Sequence, residues 1–197
     1  MLPDGHADVL LYGSGEVELV GVYDRVALPA LPAGTVIHGI RLRPEAIAAA
    51  FRLDASELRN LTLPGEDVLG QRGANRLRDD RAVDAWIRSI QPDRRTAAAI
   101  ELLQSESVEH VAGRLGLSTR QLQRIILSNV GLAPKTLQRV MRMQRFLDVA
   151  ARRGELAAAS AEAGYADQSH LTREVRALSG LTPKRLLADR AEPTRPS

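Results

Sequence analysis

Two stretches in the second half of the chain place Arg, Gln, Ser and Thr side chains at helical spacing, and these residue types can read the edges of base pairs. A guanidinium bonds O6 and N7 of guanine in bidentate fashion, and a carboxamide bonds N6 and N7 of adenine. The candidate side chains are Thr119, Arg120, Gln123 and Arg124 in the first stretch and Gln168, Ser169, Thr172 and Arg173 in the second. For one isolated helix, a solvated polar face is the better interpretation.

The two stretches belong to longer segments, 108–134 and 156–183, that repeat the same pattern. The aligned pairs are Gly116 with Gly164 at an offset of 48 residues, and Leu122 with Leu171, Gly131 with Gly180 and Pro134 with Pro183 at 49. The turn between the helices is therefore one residue longer in the second copy. Because buried and outward positions both repeat, the pattern favours nucleic-acid reading over a solvated face.

Each copy predicts a helix, a tight turn and a second helix. Ser118 and Asp167 are good N-caps for the second helix of each copy, and Gln121 completes a capping box with Ser118. In the first copy Leu122 and Ile126 recur at the spacing of a buried stripe, which leaves the polar candidates on the opposite face.

Between the copies, residues 135–153 predict a helix of about 19 residues, or roughly 28 Å. Successive major-groove segments on one face of DNA lie about 34 Å apart, so this helix is a plausible spacer. Candidates for phosphate contacts, with salt bridges as the alternative, are Arg139, Arg142, His170 and Arg176. For His170 the sequence leaves open a phosphate, a base or packing against the turn.

The charge is divided unevenly along the chain. Residues 1–93 carry 10 Arg and 14 acidic residues, a net charge of −4, whereas residues 94–190 carry 16 basic and 9 acidic residues, a net charge of +7. A basic block with this pattern favours a polyanionic partner, because Lys and Arg that neutralise phosphates release counterions. The alternative is a generic basic surface.

The first half predicts a small antiparallel sheet. ADVLLY, VELVGVY and TVIHGIRLR are rich in β-branched and aliphatic residues and are separated by Gly and Pro. Pro44 then opens a helix, and Pro92 ends a later one. We therefore predict a small α+β domain over 1–92, an all-α domain over 93–190 and a flexible tail over 191–197.

Several function classes lack support in the sequence. There is no Cys, the four His residues are scattered, and no P-loop, GxGxxG or nucleophile elbow occurs. No apolar run approaches the roughly 18 residues of a membrane span. We expect a cytoplasmic protein without catalytic residues, metal site, cofactor or membrane partner.

The second copy, GYADQSHLTREVRALSGLTP, together with the first, resembles the DNA-binding domain of the AraC/XylS family of bacterial transcription regulators over about 94–189. The resemblance implies a seven-helix domain with two helix-turn-helix subdomains joined by a long helix, binding adjacent major-groove segments of double-stranded DNA. It assigns base reading to Arg120, Gln123 and Arg124 in the first copy and to Gln168, Ser169, Thr172 and Arg173 in the second. Ile126 and Val175 stand where an aromatic residue is common in that family, and Leu171 replaces a frequent Phe.

The first half is similar to the N-terminal region of a subset of AraC-like regulators, on the segments PDGHADVLLY, GIRLRPEAIAAAF and ASELRN. That similarity implies a sensor that binds a small-molecule effector or mediates homodimerisation, with its N-terminus trimmed or lacking a strand. Two alternatives to specific regulation stay open. One is an interaction module that binds a protein or ligand and lacks specific DNA reading, and the other is a nonspecific architectural DNA binder.

Overall fold

The computed structural model describes residues 1–29, 31–32 and 34–191. In this part of the chain a four-stranded antiparallel sheet comes first and α-helices follow. The strands are β1 (Ala7–Tyr12), β2 (Val17–Val20), β3 (Ile37–Leu42) and β4 (Thr62–Pro64). This arrangement confirms the predicted small antiparallel sheet and adds a fourth strand.

The sheet has the order β3-β1-β2-β4, with every neighbouring pair antiparallel. Val9 of β1 is opposite Leu19 of β2 and Ile40 of β3. Ala7 and Val9 are completely buried while Asp8 between them is not, so one face of β1 packs on the core. The edge position of β4 accommodates Pro64, which lacks a backbone N–H.

Short helical elements connect the sheet to the longer helices. A 3₁₀ turn, Pro44–Ala46, leads into α1 (Ile47–Phe51), and a second 3₁₀ turn covers Ala55–Leu58. Asp54 caps the second turn by accepting from the N–H of Ser56 at 2.9 Å. Helices α2 (Gly65–Arg76) and α3 (Asp80–Ser89) follow, and α2 is interrupted by non-helical φ and ψ at Gly70.

Seven further helices make up the rest of the described chain. They are α4 (Arg94–Leu103), α5 (Val108–Arg114), α6 (Thr119–Val130), α7 (Pro134–Arg153), α8 (Leu156–Glu162), α9 (Gln168–Ser179) and α10 (Pro183–Ala191). Of the predicted flexible tail, Ala191 ends α10 and residues 192–197 lie outside the described residues. We call α5 with α6 the first pair and α8 with α9 the second pair.

The two halves of the chain share one hydrophobic core. Helix α6 packs against α1 and both 3₁₀ turns. A Cβ added at Gly131, just after α6, would lie 2.6 Å from the carbonyl oxygen of Ala55. The side chain of Gln144 in α7 donates to the carbonyl of Pro3 at 2.5 Å. The predicted division into domains at residue 92 stays a prediction, and these contacts cross it.

Candidate nucleic-acid interface

The first pair is defined by its caps and its turn. Ser107 caps α5 by accepting from the N–H of His110 at 3.2 Å. Ser118 accepts from the N–H of Gln121 at 3.2 Å, and the Gln121 side chain accepts from the N–H of Ser118 at 2.8 Å. This reciprocal capping box, predicted from the sequence, fixes where α6 begins and therefore which residues lie in its first two turns.

Helix α6 separates buried apolar residues from exposed polar ones. Leu122 and Ile126 are completely buried, whereas Arg120, Gln123 and Arg124 are exposed and Thr119 is half-buried. Among the described residues, neither guanidinium forms an ion pair with a carboxylate. The outward face therefore presents hydrogen-bond donors and acceptors to solvent, in the arrangement that the sequence predicts.

The second pair repeats this layout with one more residue in its turn. Asp167 caps α9 by accepting from the N–H of His170 at 2.7 Å. Tyr165, which follows Gly164 as Leu117 follows Gly116, lies in the core, where it is 5% exposed. Its ring meets that of Phe146 edge-on, with centroids 6.2 Å apart. The extra residue of the turn therefore falls after Tyr165, whose aromatic side chain anchors the turn to α7.

The outward face of α9 carries the second set of predicted base-reading residues. Gln168, Ser169 and Arg173 are exposed, and Thr172 is half-buried. The Thr172 hydroxyl donates to the carbonyl of Gln168 at 2.8 Å. Its donor is therefore used within the helix, and its oxygen keeps acceptor capacity for a partner. All eight predicted base-reading residues lie on α6 or α9.

Three of the four predicted phosphate contacts converge on one carboxylate, Glu174 of α9. Its Oε1 lies 3.3 Å from Arg139 Nε and 3.5 Å from His170 Nε2, and its Oε2 lies 3.0 Å from Arg142 Nη1. The Glu174 side chain is only 14% exposed. Arg139 and Arg142 thus form internal ion pairs with Glu174, and His170 contacts the same carboxylate; we call these four residues the Glu174 cluster, whereas Arg176 is exposed on α9.

Tyr165 completes the surroundings of the Glu174 cluster. The Arg142 guanidinium carbon lies 5.6 Å from the centre of its ring, within cation-π range, and the His170 ring meets it edge-on at 5.3 Å. Within the described residues the Tyr165 hydroxyl has no hydrogen-bond partner. Burial, with the nearby Glu174 charge, raises the pKa of Tyr165 above its usual value, so the phenol stays neutral.

Sequence reasoning did not single out Glu174. The one available signal was its spacing of four residues from His170, which places both on one side of a helix. Arg139 and Arg142 lie 35 and 32 residues away in sequence, so their convergence depends on how α7 packs against α9. Within the protein His170 packs on Tyr165 and contacts Glu174, and its predicted phosphate contact stays a prediction.

Helix α7 holds the two pairs apart. It runs for 20 residues, about 30 Å, between Pro134 at its first turn and Gly154 at its C-cap. Buried residues along one side include Leu137, Val140, Met143, Phe146 and Leu147. The buried side of α7 packs against α6 of the first pair and against α8 and α9 of the second, so this helix connects the two pairs.

Residues 111–189, about two fifths of the chain, match the family described as a helix-turn-helix domain. The match begins within α5 and ends within α10, and so it contains both α6 and α9. Residues 111–189 carry an AraC-type helix-turn-helix domain. No curated protein and no solved structure matches the chain.

This domain supports DNA as a partner of the chain and transcription regulation as its role. It agrees with the family resemblance seen on GYADQSHLTREVRALSGLTP. Among the described helices, none is long and apolar enough to cross a membrane. In the same residues no three His, Asp or Glu side chains converge as a metal site would require.

Proposed function

We propose that this chain is a sequence-specific DNA-binding transcription regulator that inserts α6 and α9 into adjacent major-groove segments. The observation that carries the proposal is the equivalence of the two helices. Each buries its apolar stripe and leaves exposed Arg and Gln side chains in its first two turns. In this proposal the first and second pairs are two helix-turn-helix subdomains, and the protein acts by binding without a catalytic step.

The residue types assign different tasks to the two faces. Arg124 and Arg173 occupy equivalent positions and suit bidentate bonds to guanine, whereas Gln123 suits adenine. Thr172 occupies the position equivalent to Gln123. Because its hydroxyl already donates a hydrogen bond within α9, its oxygen can accept one from an amino group of cytosine or adenine. The two helices would therefore read different base sequences, and the operator would consist of two non-identical blocks.

The length of α7 supports binding to successive grooves. Its roughly 30 Å is close to the roughly 34 Å that separates major-groove segments on one face of DNA. Arg176 is exposed on α9 and is the proposed phosphate contact that needs no rearrangement of the Glu174 cluster. Arg139 and Arg142 would reach a phosphate only by sharing their charge with Glu174.

Regulation through the first half of the chain is part of the same proposal. Resemblance supports a small-molecule effector or homodimerisation there, and the packing of α1 and the 3₁₀ turns on α6 offers a direct route to the first pair. A change in the first half would alter how α6 is held before it altered α9, because the latter has no comparable contact with α1.

Selection of bound duplexes from a random DNA pool by the full chain tests the proposal. We expect enrichment of two short, different blocks about one helical turn apart. Enrichment of a single block would contradict reading by both pairs. DNA binding with no enriched sequence would favour a nonspecific architectural binder, and failure to bind any duplex, at low as well as high salt, would favour an interaction module.

A further inference from the structure

A cavity of about 680 Å³ lies between α1, α2 and α3, outside the candidate DNA interface. Phe51 and Trp86 line it and pack against each other with ring centroids 6.4 Å apart, and Leu69, Leu77 and Ile90 contribute aliphatic surface. A space of this size and lining falls within the range of small-molecule sites. It is too small for a folded protein partner.

The charges around the cavity are all of one sign. Among the described residues that line it, Arg52 and Arg76 are the only charged ones, and none carries a carboxylate. This departs from the surrounding sequence, where residues 1–93 carry 14 acidic residues against 10 Arg. Among the described residues, neither arginine is held in an ion pair. Two cationic groups beside aromatic and aliphatic walls are complementary to an anion with an apolar body.

Helix α3, which forms one wall of the cavity, leaves apolar surface that a ligand can cover. None of the residues of α3 is fully buried, and Trp86 lines the cavity together with Ile90, which directly follows the helix. A compact protein ordinarily buries the apolar side of an amphipathic helix. Here Trp86 is only half-buried beside the cavity, which leaves apolar surface that a small molecule can cover.

We propose that this cavity is a binding site for a small organic anion with an aromatic or aliphatic body. The apolar part lies against Trp86, Leu69 and Ile90, and the anionic group pairs with Arg52 and Arg76. Residues Ala49 to Phe51 of α1 form one wall, and α1 packs against α6. Occupancy of the site is independent of whether the chain reads DNA.

The test uses fluorescence from Trp86, the only Trp of the chain. The probe is 1-anilinonaphthalene-8-sulfonate, which is an aromatic anion, and its uncharged analogue N-phenyl-1-naphthylamine serves as the comparison. We expect saturable binding of one sulfonate probe per chain with energy transfer from Trp86. Binding of several probes per chain, or binding without transfer, would overturn the proposal.

Two matched variants on α2 separate the charge from the apolar surface. Arg76 lines the cavity, whereas Arg72 is exposed on the same helix and does not. Arg76→Gln should weaken the sulfonate probe about tenfold, the effect of one lost charge-assisted contact, and leave the neutral probe within about twofold. Arg72→Gln should change neither probe.

A third variant fills the cavity and so tests the site without changing a charge. Ala85 lines the cavity from α3 and is exposed, so Ala85→Phe should be tolerated by the fold while occupying the space. Both probes should then lose binding, with unchanged far-ultraviolet circular dichroism. Equal losses of the sulfonate probe for Arg76→Gln and Arg72→Gln, or full binding by Ala85→Phe, would contradict the assigned site.

Discussion

The first and second pairs share one layout but are held in place by different forces. Behind α6 lie apolar contacts with α1 and the 3₁₀ turns of the first half. Beside α9 lies the Glu174 cluster, which ties the helix to α7 through Arg139 and Arg142. The residue equivalent to Glu174 in the first pair is Ile125, which has no charge to offer.

This difference shows how two copies of one motif can respond to different conditions. The first pair depends on close packing with the first half of the chain, which is insensitive to salt. The second pair depends on ion pairs next to the DNA-facing side, where phosphates compete for the same cations. A signal from the first half should therefore reach α6 preferentially, whereas ionic conditions should act preferentially at α9.

The largest expected effect comes from the glycines that end α6 and α9. Gly131 and Gly180 both adopt positive φ, so Ala costs about 1–2 kcal/mol at either position. At Gly131 the new Cβ would also lie 2.6 Å from the Ala55 carbonyl oxygen and 2.6 Å from Val22 Cγ2, whereas at Gly180 the nearest atom, Val26 Cγ1, is 3.9 Å away. Gly131→Ala should be the more destabilising by a further 1–3 kcal/mol, roughly the cost of overpacking.

Urea unfolding of the two glycine variants measures this difference directly. Gly180→Ala serves as the control because it carries the same backbone strain without the clash. Equal free energies of unfolding for both variants would mean that the first half does not pack tightly against the end of α6.

A smaller effect is expected at Glu174. Glu174→Gln keeps the shape of the side chain and removes the charge shared by Arg139, Arg142 and His170, and should cost about 1–2 kcal/mol of stability. The control is Glu162→Gln, since Glu162 pairs with Arg153 at 2.8 Å but both are well exposed, and such pairs contribute about 0–1 kcal/mol. Thermal or urea unfolding compares the two, and a loss for Glu162→Gln as large as that for Glu174→Gln would contradict the special role of the cluster.

The charge change at Glu174 also predicts an effect on DNA. With their carboxylate removed, Arg139 and Arg142 become available to phosphates, so Glu174→Gln should bind random duplex DNA more tightly and with a steeper salt dependence. Fluorescence anisotropy at several salt concentrations tests this expectation. A shallower salt dependence would show that the carboxylate positions the arginines for DNA rather than withholding them.

Arg139→Ala should weaken DNA binding modestly, in contrast to the tighter binding expected for Glu174→Gln. If Arg139 shares its charge between Glu174 and one phosphate, its loss weakens cognate and random DNA alike and lowers the salt slope by about 0.9 at most. Arg88 of α3, an exposed residue in the first half, supplies the control Arg88→Ala. An unchanged slope for Arg139→Ala would remove this residue from the interface.

The smallest expected effect is a pH dependence at the start of the chain. The side-chain hydrogen bond with Asp4 raises the pKa of His6 above 6.5, although burial acts in the opposite direction. Burial alone would raise the pKa of Asp4, but the hydrogen bonds and charge of His6, together with Arg41, lower it below 3.8. The Asp4–His6 pair therefore stabilises the fold most between about pH 3.8 and pH 6.5.

Toward higher pH, the direction in which the stability of the fold changes is set by His6. Its contribution is fully present below pH 6.5 and is lost as pH rises through the raised pKa, and it amounts to less than about 1 kcal/mol because the pair is partly exposed. Urea unfolding of the parent and His6→Gln at pH 5.5 and 8.5 measures this. The two proteins should differ at the lower pH and converge at the higher one, and a constant difference would refute the linkage.

Local signals made the helices of the second half predictable. The structure confirms the predicted caps Ser118 and Asp167, which accept from N–H groups three residues away, and it shows that Gly131 and Gly180 end the same helices in the left-handed conformation. The outward faces follow from those ends, because a helix with known limits and a known apolar stripe has only one polar side.

Features that depend on packing between distant segments could not be predicted. Strand β4 has three residues, one of them Pro64, so it carries no alternating pattern and is recognisable only beside β2. Ile87 of α3 is a large apolar residue but is 43% exposed, and its burial depends on contacts with distant segments that its type and spacing do not reveal. The Glu174 cluster likewise joins residues that only the packing of α7 on α9 brings together.

The most direct test of two-helix reading compares Arg124→Ala with Arg173→Ala in the random-duplex selection. Each variant should lose about 1–3 kcal/mol at the cognate site and relax base preference in one block only, with different blocks affected. Loss of preference in the same block, or equal weakening on cognate and random DNA, would contradict the account and make both arginines phosphate contacts.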